Sequence, residues 1–310
     1  MSWNSKLATE LHRPVPRKFP RRRVFTTGQN KIWASDLADF QKLARHNKGY
    51  KYLLVCIDIF SKYLWLVPLK NKTGLEVARA LESVFKKVRP DKLWTDFGKE
   101  YWNSTVEKML GKYGITLYRT YNEGKSVVAE RVIRTIKTWI YKRFTTDNTD
   151  KWIDMVDSVA KEYNERQHRS IGMSPNDARK RENRSVVFKK LFPEQEPEEP
   201  KFKVNDIVRI SKLRGHFRKG YLPSWSSETF RIKTVKDTVP VTYEIQDLQD
   251  NEILGSFYEK ELQLTDQKVF WYKKLKSRVK NGQKQIYVNW VGYPPSQNSW
   301  VNESDIVSPE

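Results

Sequence analysis

The sequence has almost no cysteine and no long apolar run. Cys56 is the single cysteine in 310 residues, so an intramolecular disulfide cannot form and a reducing compartment fits. A zinc site of two histidines and two cysteines is excluded within the chain for the same reason. The best apolar run, residues 52–60, contains Asp58 and is far shorter than the roughly 18 residues that span a bilayer. The first residues lack the apolar core of a secretory signal.

Acidic residues are scarce relative to basic ones. The chain has 58 Lys and Arg against 37 Asp and Glu, a formal net charge of +21. Such a surface attracts polyanions, so nucleic acids or anionic membranes are the natural partners. The absence of a spanning segment or leader favours nucleic acid over a membrane. A hydrophobic fraction of 38% and an aromatic fraction of 13% predict a folded protein.

Composition divides the chain into five segments. Residues 1–30 form a basic N-terminal arm, which is a solvated leader, a nuclear-import signal or a DNA-contacting arm. Residues 31–190 alternate strand-like and helix-like stretches, which predicts an α/β domain. Residues 191–200 are an acidic, proline-rich linker. Residues 201–264 contain short alternating strands typical of a small barrel, and residues 267–310 contain two or three strands, a turn at Asn281-Gly282 and a terminal helix.

Within residues 31–190 the periodicity predicts individual elements. KIWASDLADF is a strand, and KYLLVCIDIF and KYLWLVPLK form a hairpin. LEVARALESVFKKV is a helix whose apolar stripe comprises Leu75, Ala78, Leu81, Val84 and Phe85. Lys92 to Thr95 is a short buried strand, STVEKMLGKYG is a helix closed by glycine, and two further helices begin near Ser126 and Lys151.

Three acidic residues are candidates for a site that cuts phosphodiesters. Two divalent ions acting on a phosphodiester require convergent carboxylates, because Mg²⁺ prefers oxygen ligands. Asp36 lies in a strand, Asp96 at the end of a buried strand, and Glu130 in the first turn of a basic helix. At about 100° per residue, Arg134, Lys137 and Tyr141 share a stripe with Glu130, whereas Val128, Val132, Ile136 and Trp139 lie opposite. Taken alone, that stripe is better explained as a solvated charged face.

Several stretches over about residues 10–180 resemble the catalytic core of retroviral-type integrases, most closely those of large DNA transposons of the Maverick (Polinton) kind. They are PRRRVFTTGQNKIWASDLADF, NKGYKYLLVCIDIFSKYLWLVPLKNKTG, LWTDFGKEYWN, VVAERVIRTIKTWIYK and YNERQHRSIGMSP. The resemblance implies a ribonuclease H-like fold whose three acids, Asp36, Asp96 and Glu130, bind two Mg²⁺ or Mn²⁺ ions. Thirty-three residues separate Asp96 from Glu130, two fewer than the retroviral spacing.

Other residues compete for these roles. Asp39 and Glu100 flank the site in sequence, and Asp58 more often has a structural role in such folds. A lone histidine such as His168 is more often structural than catalytic. Lys125 precedes the Glu130 helix, where it is either a DNA contact or a plain surface lysine.

The two C-terminal segments also resemble modules of these integrases. Residues 201–264 resemble an SH3-like barrel, in which Lys212, Arg214, Arg218 and Lys219 would bind DNA backbone or form a solvated loop. Residues 267–310 resemble a chromodomain, whose aromatic cage holds methyl-lysine. Trp290 and Tyr293 match two cage positions. The third falls at Phe270 or Val269, and Val269 would leave one wall missing. Trp300 matches a core tryptophan.

The expected fold is therefore an α/β ribonuclease H-like core followed by a small all-β SH3-like barrel and a chromodomain. The expected function is metal-dependent DNA end processing and strand transfer, in which water or a DNA 3′-hydroxyl attacks without a covalent enzyme intermediate. The alternative is a domesticated DNA- and chromatin-binding protein, because these 30 leading residues leave no room for the zinc-binding domain that precedes the core in relatives. Expected partners are DNA, histone tails and further copies of the chain, without a membrane, in the nucleus.

Overall fold

A computed structural model describes residues 3–16, 18–118, 127–194, 199–212, 222–266, 272–291 and 293–306. Two compact units divide the chain: residues 23–194, and residues 1–22 together with 195–310. Each unit has its own hydrophobic clusters. No helix in the described parts of the chain is both long and apolar enough to cross a membrane.

A five-stranded sheet organises the unit of residues 23–194. Its strands are β1 (Ile32–Asp39), β2 (Tyr52–Asp58), β3 (Leu64–Leu69), β4 (Lys92–Trp94) and β5 (Thr116–Tyr118), in the spatial order β3-β2-β1-β4-β5. The β1–β2–β3 pairs are antiparallel, whereas β4 runs parallel to both β1 and β5. The predicted strand and hairpin over residues 31–70 are confirmed.

Helices cover both faces of this sheet. They are α2 (Gly74–Phe85), α3 (Ser104–Tyr113), α4 (Val127–Asp147), α5 (Val156–Glu165), α6 (Pro175–Ala178) and α7 (Arg184–Leu191). One apolar cluster joins the sheet to α2 and α3, and another joins its opposite face to α4 and α5. Gly114 ends α3 in the left-handed conformation, with φ of 66°, which confirms the predicted glycine stop.

The predicted apolar stripe of α2 is wrong at one position. Ala78, Leu81, Val84 and Phe85 are buried, but Leu75 is 51% exposed. At about 100° per residue, Leu75 lies on the far side of the helix from the centre of the buried face. The helix begins at Gly74, so Leu75 is in its first turn.

The second unit contains two antiparallel sheets. The first has the strands β6 (Ile207–Ile210), β7 (Phe230–Lys236), β8 (Thr242–Gln246), β9 (Glu252–Tyr258) and β10 (Leu262–Leu264), in the order β10-β6-β7-β8-β9. The second has β11 (Tyr272–Lys280), β12 (Gln283–Trp290) and β13 (Ser299–Asn302), in that order. The β11–β12 turn falls at Asn281-Gly282, both with positive φ, as predicted.

The described residues beyond β13 form one 3-10 turn, Glu303–Asp305. The terminal helix expected from the sequence is therefore not found there, and residues 307–310 lie outside the described residues.

A helix that the sequence did not predict lies in the N-terminal segment. Helix α1 (Trp3–His12) places Leu7 and Leu11 against Trp225, which precedes β7. Glu10 pairs with the guanidinium of Arg209, a fully buried residue of β6, at 3.0 Å. The solvated arm predicted for residues 1–30 is thus wrong for this helix, which belongs to the second unit.

His168 closes a tight turn after α5. Its backbone N–H donates to the carbonyl of Met173, and its Nδ1 contacts the hydroxyl of Ser170 at 3.1 Å. Burial and the nearby charge of Lys62 lower the pKa of the imidazole to about 4, so the ring is neutral at neutral pH. The prediction that His168 has a structural role fits these contacts.

We expect His168→Gln to flatten the acid side of the stability profile. The folded pKa lies below the ordinary value of about 6.5, so this group contributes stability above pH 6.5 that is lost as pH falls towards 4. Solvent screening of a partly exposed ring limits the effect to about 1–2 kcal/mol. Urea unfolding of wild type and variant between pH 4 and 7.5 measures it.

The matched control is His46→Gln, because His46 is exposed. That variant should follow the wild-type pH profile. Identical profiles for wild type and His168→Gln would contradict the structural assignment.

Candidate active site

The pairing of β1 with β4 brings Asp36 and Asp96 to the same level of the sheet. The last parallel pair joins Ala34 to Trp94; Asp36 lies two residues further along β1, and Asp96 lies two residues beyond the end of β4. Ala34, Ala38 and Trp94 all belong to the cluster beneath α4. Because side chains alternate along a strand, Asp36 points to that same face. Asp96 follows the end of β4 and lies close enough for its charge to act on Asp36.

Glu130 reaches this face from α4. Ala129 and Ile136 are fully buried beneath the helix, whereas Glu130 is exposed. An open groove of about 820 Å³ is lined by both Asp36 and Glu130. The helix therefore presents its one first-turn acid towards the aspartate of the central strand.

Electrostatics show that these carboxylates act on one another. Burial is the largest cause that raises the pKa of Asp36 to about 6, and the backbone N–H of Leu37 opposes it. The negative charges of Asp96, Glu130 and Glu100 raise the pKa further, in that order. Repulsion of this kind makes the site favourable for a cation, and carboxylate oxygens are the ligands that Mg²⁺ prefers.

The described carboxylates do not form a compact metal-binding cluster. Within the described ranges, no three Asp, Glu, His or Cys side chains are grouped closely enough to hold an ion. Asp36 instead accepts a hydrogen bond from the N–H of Leu37 at 2.7 Å, and Asp96 accepts one from the N–H of Gly98 at 3.0 Å. The chemistry of the donor set fits a divalent metal.

The loop after β4 is fixed around Asp96. The indole N–H of Trp102 donates to the Asp96 carbonyl at 2.8 Å, and the hydroxyl of Thr95 donates to it at 3.0 Å. On the other side of β1, buried Ser35 contacts the hydroxyl of Tyr101 at 3.0 Å. These bonds tie the Asp96 loop both to itself and to the central strand.

The rival acids differ in their surroundings. Asp58 is fully buried and accepts hydrogen bonds from the N–H and hydroxyl of Ser61 and from the N–H of Asn30. These bonds confirm the structural role expected for Asp58. Asp39 lines the groove but accepts two bonds from Gln41. Glu100 acts on Asp36 and is the rival to be tested beside the trio.

The basic stripe predicted on α4 is confirmed. Arg134, Lys137 and Tyr141 line the groove with Glu130, and the ammonium of Lys137 lies 5.2 Å from the centroid of the Phe40 ring. The predicted inward residues Val128, Val132, Ile136 and Trp139 all pack in or against the core. The chemistry on this face is a carboxylate group beside cations that can bind phosphate.

The sequence prediction missed four groove residues of α4: Ile133, Thr138, Lys142 and Thr145. Residues three to four apart share a helix face, so extending the series from Arg134 would have found Thr138 and Lys142. Lys142 adds a cation at the far end of the groove.

The predicted DNA-binding and cage residues are described only in part. Lys125, Arg214, Arg218, Lys219, Val269 and Phe270 lie outside the described residues. Lys212 is half-buried, and its N–H donates to the carbonyl of Ser224 at 2.7 Å.

Trp290 and Tyr293 contact different neighbours. The ring of Trp290 meets Tyr272 edge-on at 6.4 Å, an aromatic pair that the sequence did not predict. The hydroxyl of Tyr293 accepts a bond from the N–H of Thr229, beside β7, at 3.2 Å. Trp300, expected in the core, is half-buried beneath the guanidinium of Arg278, which lies 4.0 Å from its ring.

Comparisons with known proteins show which proteins the chain is similar to. Residues 26–122 match the family model described as "Integrase core domain". A transposon-derived protein of Caenorhabditis elegans is 37% identical over 188 residues, which are 60% of this chain and 64% of that protein. The Pol polyprotein of Radiation murine leukemia virus is 32% identical over 119 residues, 37% of this chain and 20% of the polyprotein. The chain thus spans under two thirds of each relative.

A solved structure shares the fold. It is an intasome of simian T-cell lymphotropic virus in complex with PP2A regulatory subunit B56 gamma, with a TM-score of 0.56 and 17% identity. The alignment covers 83% of this chain and 84% of that one. The chain is thus similar to integrase core domains over residues 26–122 and shares the fold of that solved structure, including a mixed five-stranded sheet.

Proposed function

We propose that this chain is a transposon-derived integrase that catalyses divalent-metal-dependent DNA end processing and strand transfer. The observation that carries the proposal is the electrostatic coupling of Asp36 to Asp96 and Glu130 on one face of an integrase core domain. Carboxylates that repel one another at a groove bordered by cations suit a metal-dependent reaction on a phosphodiester.

Each residue has a separate task. Asp36, Asp96 and Glu130 would hold two Mg²⁺ or Mn²⁺ ions, which when bound supply charge neutralisation at the scissile phosphate. Arg134 and Lys137 would bind neighbouring phosphates, and Lys142 would extend that contact along the groove. Trp102 and Gly98 would hold Asp96 in place through the bonds already described.

The same proposal covers the kind of integrase and the identity of the two C-terminal modules. The stretches quoted from the sequence favour the Maverick (Polinton) kind, with residues 201–264 as an SH3-like barrel and residues 267–310 as a chromodomain. The two antiparallel sheets of the second unit are compatible with both modules. We extend to this chain the multimeric assembly on DNA of an intasome, nuclear localisation and an interaction with chromatin.

Replacing any member of the trio should abolish catalysis. Asp36→Asn, Asp96→Asn and Glu130→Gln should each lower Mn²⁺-dependent cleavage and strand transfer of transposon-end duplexes at least about 100-fold, because a metal ion contributes several kcal/mol to such a reaction. A gel assay with labelled ends measures both steps. A thermal shift on adding Mn²⁺, present in wild type and reduced in the variants, reports metal binding without activity.

Glu107→Gln provides the matched control, since Glu107 is an exposed acid of α3 on the other face of the sheet. It should retain wild-type activity. Glu100→Gln tests the rival ligand. Cleavage that persists in Asp96→Asn and disappears in Glu100→Gln would overturn the assignment of the trio.

A second candidate function is DNA binding without cutting. It is favoured by the finding that the described carboxylates do not form a metal-holding group. Under this alternative, DNA affinity would be independent of Mn²⁺ and of the three acids, and no cleaved product would form with any end sequence.

Both candidates require the α4 groove to contact DNA. Arg134→Ala/Lys137→Ala should weaken duplex binding in EDTA and reduce the slope of log affinity against log salt by roughly 0.9 for each phosphate left without its cation. Fluorescence anisotropy at several salt concentrations measures this. Lys86→Ala/Lys87→Ala removes the same charge at the end of α2 and should leave the slope unchanged. Equal slopes for the two double variants would exclude the groove as a DNA contact.

A further inference from the structure

The β11–β12 hairpin forms a ribbon with an unusual surface. All nine residues of β11 are exposed. Five of the nine are basic: Lys273, Lys274, Lys276, Arg278 and Lys280. Residues 272–291 contain no Asp or Glu at all. The hairpin is thus a strongly basic element independent of the α4 groove.

The two faces of this ribbon differ. Residues directly opposite in an antiparallel pair point to the same side. Ile286 and Val288 of β12 are buried, and they pair with Ser277 and Lys274. This side, called here the interior side, is therefore covered at β12, although its β11 residues are exposed. The other side, called here the basic face, carries these residues: Lys273, Lys276, Arg278, Lys280, Gln283, Gln285, Tyr287 and Asn289.

Four of the five cations of β11 therefore share the basic face. A bulge between Lys274 and Lys276 restores the alternation, so that Lys273 and Lys276 fall on one face. On the described residues, no ion pair links Lys273, Lys276 or Lys280 to an acid. The ion pair of the hairpin, Lys284 with Glu303, lies on the interior side.

The basic face also has ordered features. Arg278 lies over the ring of Trp300 at 4.0 Å and donates from Nε to Gln285 at 2.9 Å. Tyr287 contacts Trp300 with ring centroids 5.2 Å apart. The guanidinium is thus held in place before any ligand arrives, which lowers the entropy cost of using it.

The spacing suits a polyanion of regular charge. Alternate residues of a strand are about 7 Å apart, so Lys276, Arg278 and Lys280 form a row of cations. One DNA strand carries a phosphate per roughly 3.4 Å of axis, and the major groove admits a two-stranded ribbon. Edge strands often carry a lysine that prevents aggregation, but one such charge suffices for that purpose. A lysine-rich histone tail would be repelled by the same charges.

We propose that the basic face of the β11–β12 hairpin is a second DNA-binding surface, which contacts the phosphate backbone of duplex DNA without sequence preference. It rests on the proposed function only in taking DNA as the partner. Its contribution is to affinity for DNA, and it is separate from the carboxylate site.

The test is duplex binding by the full chain in EDTA, where no cleavage can occur. Lys273→Ala/Lys276→Ala/Lys280→Ala should weaken binding to an unrelated 30-base-pair duplex about 10-fold or more, with the salt slope reduced by roughly 0.9 for each lysine that meets a phosphate. The arginine version, Lys273→Arg/Lys276→Arg/Lys280→Arg, should bind like wild type. Circular dichroism and thermal unfolding establish that both variants are folded.

Two controls make the assignment specific. Lys86→Ala/Lys87→Ala/Lys108→Ala removes the same charge from the segment just after α2 and from α3, and should leave affinity nearly unchanged. Lys274→Ala, on the interior side of the same strand, should have less effect than Lys276→Ala. Equal losses for the hairpin triple and the control triple would overturn the proposal, as would tighter binding of a histone-tail peptide than of duplex DNA. Loss of cleavage in Asp96→Asn with DNA binding intact would leave it unaffected.

Discussion

The parallel pairing of β1 with β4 is the constraint on which the candidate site depends. It fixes Ala34 opposite Trp94, which brings Asp36 of β1 level with Asp96 at the start of the loop after β4. Slipping the register by one residue would turn one of the two carboxylates into the cluster under α2 and α3. Antiparallel pairing of β1 with β2, and of β2 with β3, keeps β1 in the interior of the sheet.

Local patterns in the sequence predicted the individual helices and strands better than the contacts between them. The angular argument for α4 placed Arg134 and Lys137 beside Glu130 because a helix is a local, regular object. The convergence of Asp36 with Asp96 came from a family resemblance, since no periodicity records which distant strands become parallel neighbours. The same limit explains Leu75, because apolar character alone did not say where the buried face of α2 lies.

Elements with distant partners were the hardest to predict. Helix α1 has only two buried apolar residues, Leu7 and Leu11, so its sequence alone resembles a polar arm. The residue they pack against, Trp225, is distant in the sequence. Strand β11 buries nothing and has no alternation of apolar residues. Only its turn, Asn281-Gly282, marked it as half of a hairpin. The basic face could be identified only from the pairing register of β11 with β12, which local sequence patterns do not reveal.

The pairing of Glu10 with Arg209 has a consequence for how the chain is made. These partners are 199 residues apart, and Arg209 is completely enclosed once they meet. At about 5–20 residues per second, a ribosome would take roughly 10–40 s to deliver β6 after α1 has emerged. During that interval residues 23–194 can fold as their own unit, before β6 is available to pair with α1. The contact between α1 and β6 can therefore form only after residues 23–194 have been synthesised.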